Sequence, residues 1–177
     1  MVTADVSVRL AWADDAPAIA ALQLAVWRES YTDVLGTQLD ELAPSDLTER
    51  WAATVNAPRD ARQRVLVALE RATLRGFAIV HPCFDDDADQ IQDGEIGEFV
   101  VALEHRGHGH GSRLLQACAD TLRADRFTRA VWWLRSTDDA TRTFATTAGW
   151  APDGAHRELA APTGATVKQV RLHTRLV

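Results

Sequence analysis

The residues best suited to chemistry are crowded into His105-Arg106-Gly107-His108-Gly109-His110-Gly111, with Ser112 and Arg113 following directly. Three chemistries suit such a stretch. Histidines are metal ligands, but the interleaved glycines organise them poorly, and no carboxylate or thiol close in sequence completes a ligand set. No metal is therefore expected. A glycine-rich segment is also, by default, a solvated turn. The third reading is an anion cradle, in which glycines let backbone N–H groups approach a phosphate closely and a following helix adds its N-terminal partial charge. Arg106 and Arg113 add cationic charge, so a pyrophosphate is the preferred occupant. A P-loop would need Gly-Lys-Ser/Thr where Gly111-Ser112-Arg113 stands, and a Rossmann fingerprint belongs to the first strand of its unit, not past mid-chain.

The flanking sequence supports the cradle. "IGEFVVAL" reads as an apolar strand entering the loop, and Leu114, Leu115, Cys118 and Leu122 mark one face of a helix leaving it. Elsewhere Val6–Leu10 alternates as a strand, and a helix starts at Asp14-Asp15 with Pro17. A second helical region, from about Tyr31 to Val55, is broken at Gly36 and Pro44. "RVLVALE", "LRGFAIVH" and "AVWWL" read as strands, and "DDATRTFATTAGW" as a helix ending at Gly149. Two strand-like pieces close the chain, around Trp150 and from Val167 to Leu176. This mixed order predicts an α+β fold, an α/β sandwich on one sheet within a single domain spanning residues 1–177.

Composition narrows the function. The 177 residues carry a net charge of -6, which argues against general nucleic-acid binding. No run approaches the roughly 20 apolar residues of a membrane span, and the N-terminus does not read as a leader. Cys83 and Cys118 match no paired motif, so a reducing, cytoplasmic setting is expected.

"FVVALEHRGHGHGSRLL" resembles the acyl-CoA signature of the GNAT N-acetyltransferase superfamily, with Arg106, Gly109 and Gly111 at its fixed positions. "AVWWLRSTDDATRTFATTAGW" is similar to the family's next strand and helix, "AVWRESY" to the first helix of small bacterial members, and "APDGAHREL" to their tail. The resemblance implies a mixed, mostly antiparallel sheet of about six to seven strands with helices on both faces, and acetyl-CoA as cosubstrate. It further implies that Phe99, Val100 and Val101 meet the pantetheine and thioester. The backbone of Arg106, Gly107, His108, Gly109, His110, Gly111 and Ser112 would hold the pyrophosphate. Asp138 stands where many members carry a cofactor-binding Asn, and Ala145 stands where most carry a Tyr that protonates the CoA thiolate.

For the general base, Glu98 is preferred over Glu95. Simple alternation puts the two on opposite faces, which a bulge would change, and either carboxylate also reads as a solvated or salt-bridged strand residue. Trp27 and Tyr31 share a helical face and, with Trp133, are candidates to line the acceptor site, core packing being the alternative. His108 and His110 titrate near neutrality but are expected to aim at phosphates. The run Asp85-Asp86-Asp87, with Asp89 and Asp93, reads as a solvated hairpin. The expected function is acetyl transfer to a primary amine of a small molecule in a ternary complex. A protein or peptide N-acetyltransferase and a non-catalytic acyl-CoA-binding module are the alternatives. No nucleic-acid or membrane partner is expected, and a homodimer is left open.

Overall fold

The computed structural model describes residues 5–177; the first four residues of the N-terminus read above for a leader lie outside them. One seven-stranded sheet runs in the order β1-β2-β3-β4-β5-β7-β6. Its strands are β1 (Val6–Leu10), β2 (Arg64–Glu70), β3 (Thr73–Pro82), β4 (Asp93–Val101), β5 (Arg129–Arg135), β6 (Ala151–Ala160) and β7 (Thr166–Arg175). Only β4 and β5 pair in parallel; every other neighbour is antiparallel. The helices are α1 (Ala16–Ser30), α2 (Thr32–Leu35), α3 (Gln38–Glu41), α4 (Pro44–Asn56), α5 (His110–Ala124) and α6 (Asp139–Thr147). Both breaks expected in the second helical region are present. Gly36 sits at φ +51° between α2 and α3, and Pro44 opens α4.

Two apolar layers sandwich the sheet. On one face Leu114, Leu122 and Cys118 of α5 pack with Ile96, Phe127 and Trp132. On the other, Ile19 and Leu24 of α1 and Trp51 of α4 pack with Val67, Phe77 and Val100. Helices on both faces explain why β2, "RVLVALE", is apolar almost throughout: its interior residues are all buried. No helix among the described residues is long and apolar enough to cross a membrane.

Two irregularities of β4 prepare the site. The ladder with β3 runs Gly76↔Val101, Phe77↔Val100 and Ala78↔Phe99, then resumes at Val80↔Ile96. Ile79 alone therefore opposes both Gly97 and Glu98, a β-bulge. The extra residue resets the alternation, so that Glu95 and Glu98 face the α1 side together. Of the two arrangements open to the sequence, the bulged one is present, and the opposite faces of simple alternation are not. The second irregularity lies on the other edge of β4. Pairing with β5 ends at Ile96↔Trp132, while β5 continues to Arg135 alongside β7. From Gly97 to Val101 the two strands diverge, leaving a wedge in the sheet and backbone groups free of a β5 partner.

Candidate active site

A cavity of about 440 Å³ opens on the α5 side of the wedge, walled by Phe99 and Val101 of β4, by the glycine loop, and by Ala140, Thr141 and Phe144 of α6. Phe99 and Val101 point into it, whereas the intervening Val100 is buried in the α1 layer. The loop forms as its sequence requires. Gly107 and Gly109 take φ of +79° and +84°, left-handed angles that side chains resist, and Gly109 caps α5. The first α5 bond from the cap runs from the Arg113 N–H to the Gly109 carbonyl at 3.1 Å. The N–H groups of His110, Gly111 and Ser112 therefore precede the intrahelical ladder and are available to an anion. Arg106 and Ser112 line the same mouth. A pyrophosphate on these donors with an acyl-pantetheine arm running along Val101 and Phe99 suits the residues present.

The side chains of three residues expected on this side lie elsewhere. The rings of His108 and His110 are absent from the cavity wall. His108 is exposed and its ring lies 6.1 Å from that of His105, while His110 is 2% exposed and turns inward. Asp138 is also absent from the wall: its carboxylate accepts from the Thr141 N–H at 3.0 Å and caps α6. It serves the helix that carries Thr141 and Phe144. Ala145, at the expected tyrosine position, is fully buried in the core, and the aromatic that reaches the cavity is Phe144.

A second cavity, about 300 Å³, lies on the α1 side of the wedge. Trp27 and Tyr31 of α1 and its end, Val34 and Leu35 of α2, and the β6–β7 hairpin from Leu159 to Val167 form its walls, with Glu98 and Gln169 as polar members. Trp27 and Tyr31 thus share a face, as their spacing predicts, with their rings edge to face at 6.5 Å. Trp27 Nε1 donates to Glu98 Oε1 at 3.0 Å. Burial pushes the Glu98 carboxyl above its ordinary range, and hydrogen bonds from Trp27 and Gln23 partly oppose that rise. Gln23 is itself held by Trp51 Nε1, which donates to its Oε1 at 2.8 Å. Burial first, and then the Glu98 charge, also raises the Tyr31 phenol, whose ring lies 5.0 Å from the Arg135 guanidinium.

Glu95 shares the face of Glu98 but not its cavity. It sits deeper along β4, with Cys83 and Asp85 atoms within 4.8 Å, and burial raises its carboxyl above the ordinary range. The same environment pushes the Cys83 thiol up to about 12. Trp133 is likewise outside the cavity, contrary to expectation. Its Nε1 donates to Asp85 Oδ2 at 2.9 Å, and the Arg157 guanidinium lies 4.2 Å from its ring. Trp132, its neighbour, is the core member of the pair.

The acidic run is a hairpin connection solvated only in part: Asp86, Asp87 and Asp89 are exposed, whereas Asp85 and Asp93 are drawn inward by arginines. Arg171 is 5% exposed and holds Asp85 at 2.9 Å, Asp87 at 2.6 Å and Asp153 at 2.7 Å. Asp93 is buried and pairs with Arg129 at 3.4 Å. The sequence reading missed these pairings, and it missed Gln23 and Trp51. Gln23 had a signal, a lone amide four residues before Trp27 on an apolar helical face. The hairpin wall from Leu159 to Val167 had none, because only the tertiary fold brings it over α2.

The model of the acetyltransferase (GNAT) family matches residues 23–150. No curated protein sequence matches the chain. Solved structures share its fold at low identity. Ribosomal-protein-alanine N-acetyltransferase from Brucella melitensis is 20% identical with a TM-score of 0.76, covering 96% of this chain and 99% of that one. An N-acetyltransferase from Staphylococcus aureus Mu50 is 16% identical at a TM-score of 0.76, covering 98% and 99%. YncA of Salmonella typhimurium, described as an acetyltransferase and solved with its cofactor acetyl-CoA, is 18% identical at 0.75, covering 99% and 95%. With a family match across most of its length and the family's splayed sheet and glycine loop, the chain belongs to the GNAT acetyltransferases, enzymes that draw their acetyl group from acetyl-CoA.

Proposed function

We infer that this enzyme acetylates the primary amine of a small, largely apolar molecule bound against Glu98. One observation carries the reading. The two cavities lie on opposite faces of β4 along the stretch where it parts from β5, with Phe99 and Val101 on one side and Glu98 on the other. The volume of about 300 Å³ and the apolar walls from Trp27, Val34, Leu35 and Val167 suit a compact acceptor.

In the mechanism that follows, the acceptor enters as an ammonium and gives a proton to the Glu98 carboxylate, directly or through one water. The freed lone pair attacks the thioester carbonyl carbon through the wedge. A backbone N–H on the unpaired edge of β4 between Gly97 and Val101 donates to the oxyanion. The C–S bond then breaks, the amide forms, and the attacking nitrogen loses its second proton to solvent. The thiol reference pKa of ~8.5 lets the thiolate leave without a dedicated acid, which accommodates Ala145 at the usual tyrosine position. Two buried, unpaired cysteines suit a cytoplasmic setting.

The test is a CoA-release assay with small arylalkyl and alkyl amines set against peptides with free N-termini. Turnover confined to the compact amines supports the reading. Turnover on peptides with none on small amines transfers it to a protein N-acetyltransferase, the activity named for the Brucella melitensis structure.

A further inference from the structure

Two of the loop's three histidines have a carboxylate nearby, one that sequence distance hides. Glu70, at the end of β2, approaches the loop from beneath. It brings a carboxylate oxygen together with ring nitrogens of His105 and His110, all within 4.8 Å of one another, and its Oε2 is 4.0 Å from His105 Nδ1. No side-chain hydrogen bond among the described residues ends on the His110 ring, and none of their fully buried side-chain nitrogens or oxygens lacks a partner, so the ring nitrogens of this largely buried residue keep contact with solvent. An imidazole in that state has a nitrogen lone pair free to take a ligand.

We propose that Glu70, His105 and His110 form a binding site for a divalent transition metal of the zinc class, and that the metal clamps both ends of the glycine loop. Two imidazoles and a carboxylate are a zinc-type donor set, with water or the exposed His108 as fourth ligand. Bonds of about 2.0–2.2 Å in a tetrahedron set ligand atoms about 3.3 Å apart, so the donors must close by at most about 1.5 Å. The Glu70 and His105 side chains, 29% and 24% exposed, have the freedom to do so. Two cations face the cluster. Arg75 Nε holds Glu70 Oε2 at 3.2 Å and must yield to the metal, which its own partial exposure allows, and Arg113 lies close enough to act on His110.

The consequence follows from position. His105 is the last residue before Arg106, and His110 is the first of α5, so one ion would join both ends of the segment that presents N–H groups to the pyrophosphate. Fixing the loop in advance reduces the ordering cost of acetyl-CoA binding, and the coupling is reciprocal. This coupling rests on the cradle reading; metal binding itself does not.

The experiment titrates Zn2+ into untagged, chelator-stripped protein, with Mg2+ as the oxygen-preferring control and Co2+ as a visible-absorption probe of tetrahedral nitrogen and oxygen ligation. The expected result is one Zn2+ per chain at micromolar or tighter affinity, weakened at least about tenfold by His105→Ala and by Glu70→Gln. Both variants should retain the native melting temperature and native acetyl-CoA affinity in chelator. Saturating Zn2+ should tighten acetyl-CoA binding by about fivefold or more in the native protein and leave both variants unaffected. Absence of Zn2+ binding, or binding that both variants retain, overturns the site. Binding lost in the variants but without effect on acetyl-CoA overturns the clamp. Failure of acetyl-CoA to bind in chelator would count against the cradle instead, and the two results are separately readable.

Discussion

Trp27 and Glu98, 71 residues apart in sequence, are joined by a 3.0 Å hydrogen bond from the indole Nε1 to the carboxylate Oε1. The bond exists because the bulge at Gly97-Glu98 turns Glu98 toward α1, where Trp27 and Gln23 wait one helical turn apart. It gives a part-buried carboxylate two donors while leaving it at the wall of the acceptor cavity.

Replacing Glu98 by Gln should lower kcat by about 100-fold, the low end of what a positioned base contributes. Burial raises the Glu98 pKa, and a base acts only when ionised. The rate of the native enzyme should therefore fall as pH drops through a value above the ordinary carboxylate range. A pH profile of kcat/KM checks this, and the Glu98→Gln profile should lack that limb.

Trp27→Phe keeps the ring but removes a donor that favours the ionised carboxylate. The acid limb should move up by about one pH unit, since a hydrogen bond to a charged group is worth about 1.5–3 kcal/mol. On the alkaline plateau kcat should stay within about threefold of native.

Trp133→Phe separates structure from substrate contact. The indole bond to Asp85 and part of the stacking by Arg157 are lost, at a cost of about 1 kcal/mol in urea unfolding. Because Trp133 lies outside the acceptor cavity, the KM for the amine should not change by more than about twofold.

Arg171→Met strands Asp85, Asp87 and Asp153 without their shared cation and should cost about 3–5 kcal/mol. Arg171 lowers both Asp87, to about 2 against a reference of 3.8, and Asp153. Carboxyls depressed in the folded state stabilise it above their unfolded pKa and lose that contribution as they protonate. Native stability should therefore decline as pH falls from near 4 toward about 2, and the variant should show a shallower decline, because Asp15, Asp33 and Asp60 are lowered by other arginines. Thermal melts across that range read it directly.

The glycine loop and its flanks were legible because their signal is local: a strand, left-handed glycines and a helix with one apolar face follow one another within thirty residues. Trp27 and Tyr31 were legible for the same reason, through their spacing. Glu95 was misplaced because alternation assumes an uninterrupted ladder, and the bulge depends on how Ile79 meets two residues of a different strand. Asp85 looks solvated and Asp87 unpaired until Arg171, more than eighty residues away in sequence, is folded against them. Trp133 was drawn into the same network, and Glu70 reaches His110 only across the β2–α5 contact. In each case the decisive partner is remote in sequence.

The loop from Arg106 to Ser112 is expected to hold the cofactor while the acceptor waits across β4. Calorimetric titration of acetyl-CoA into the native protein and into Gly109→Glu tests it most directly. The substitution puts a side chain at φ +84°, with its Cβ 2.9 Å from Arg113 Nη1, and sets a carboxylate where the pyrophosphate should lie. The expected result is micromolar binding by the native protein and a loss of at least about 100-fold in a variant that still melts cooperatively. Equal affinity in the two proteins, or no binding by the native one, would contradict it.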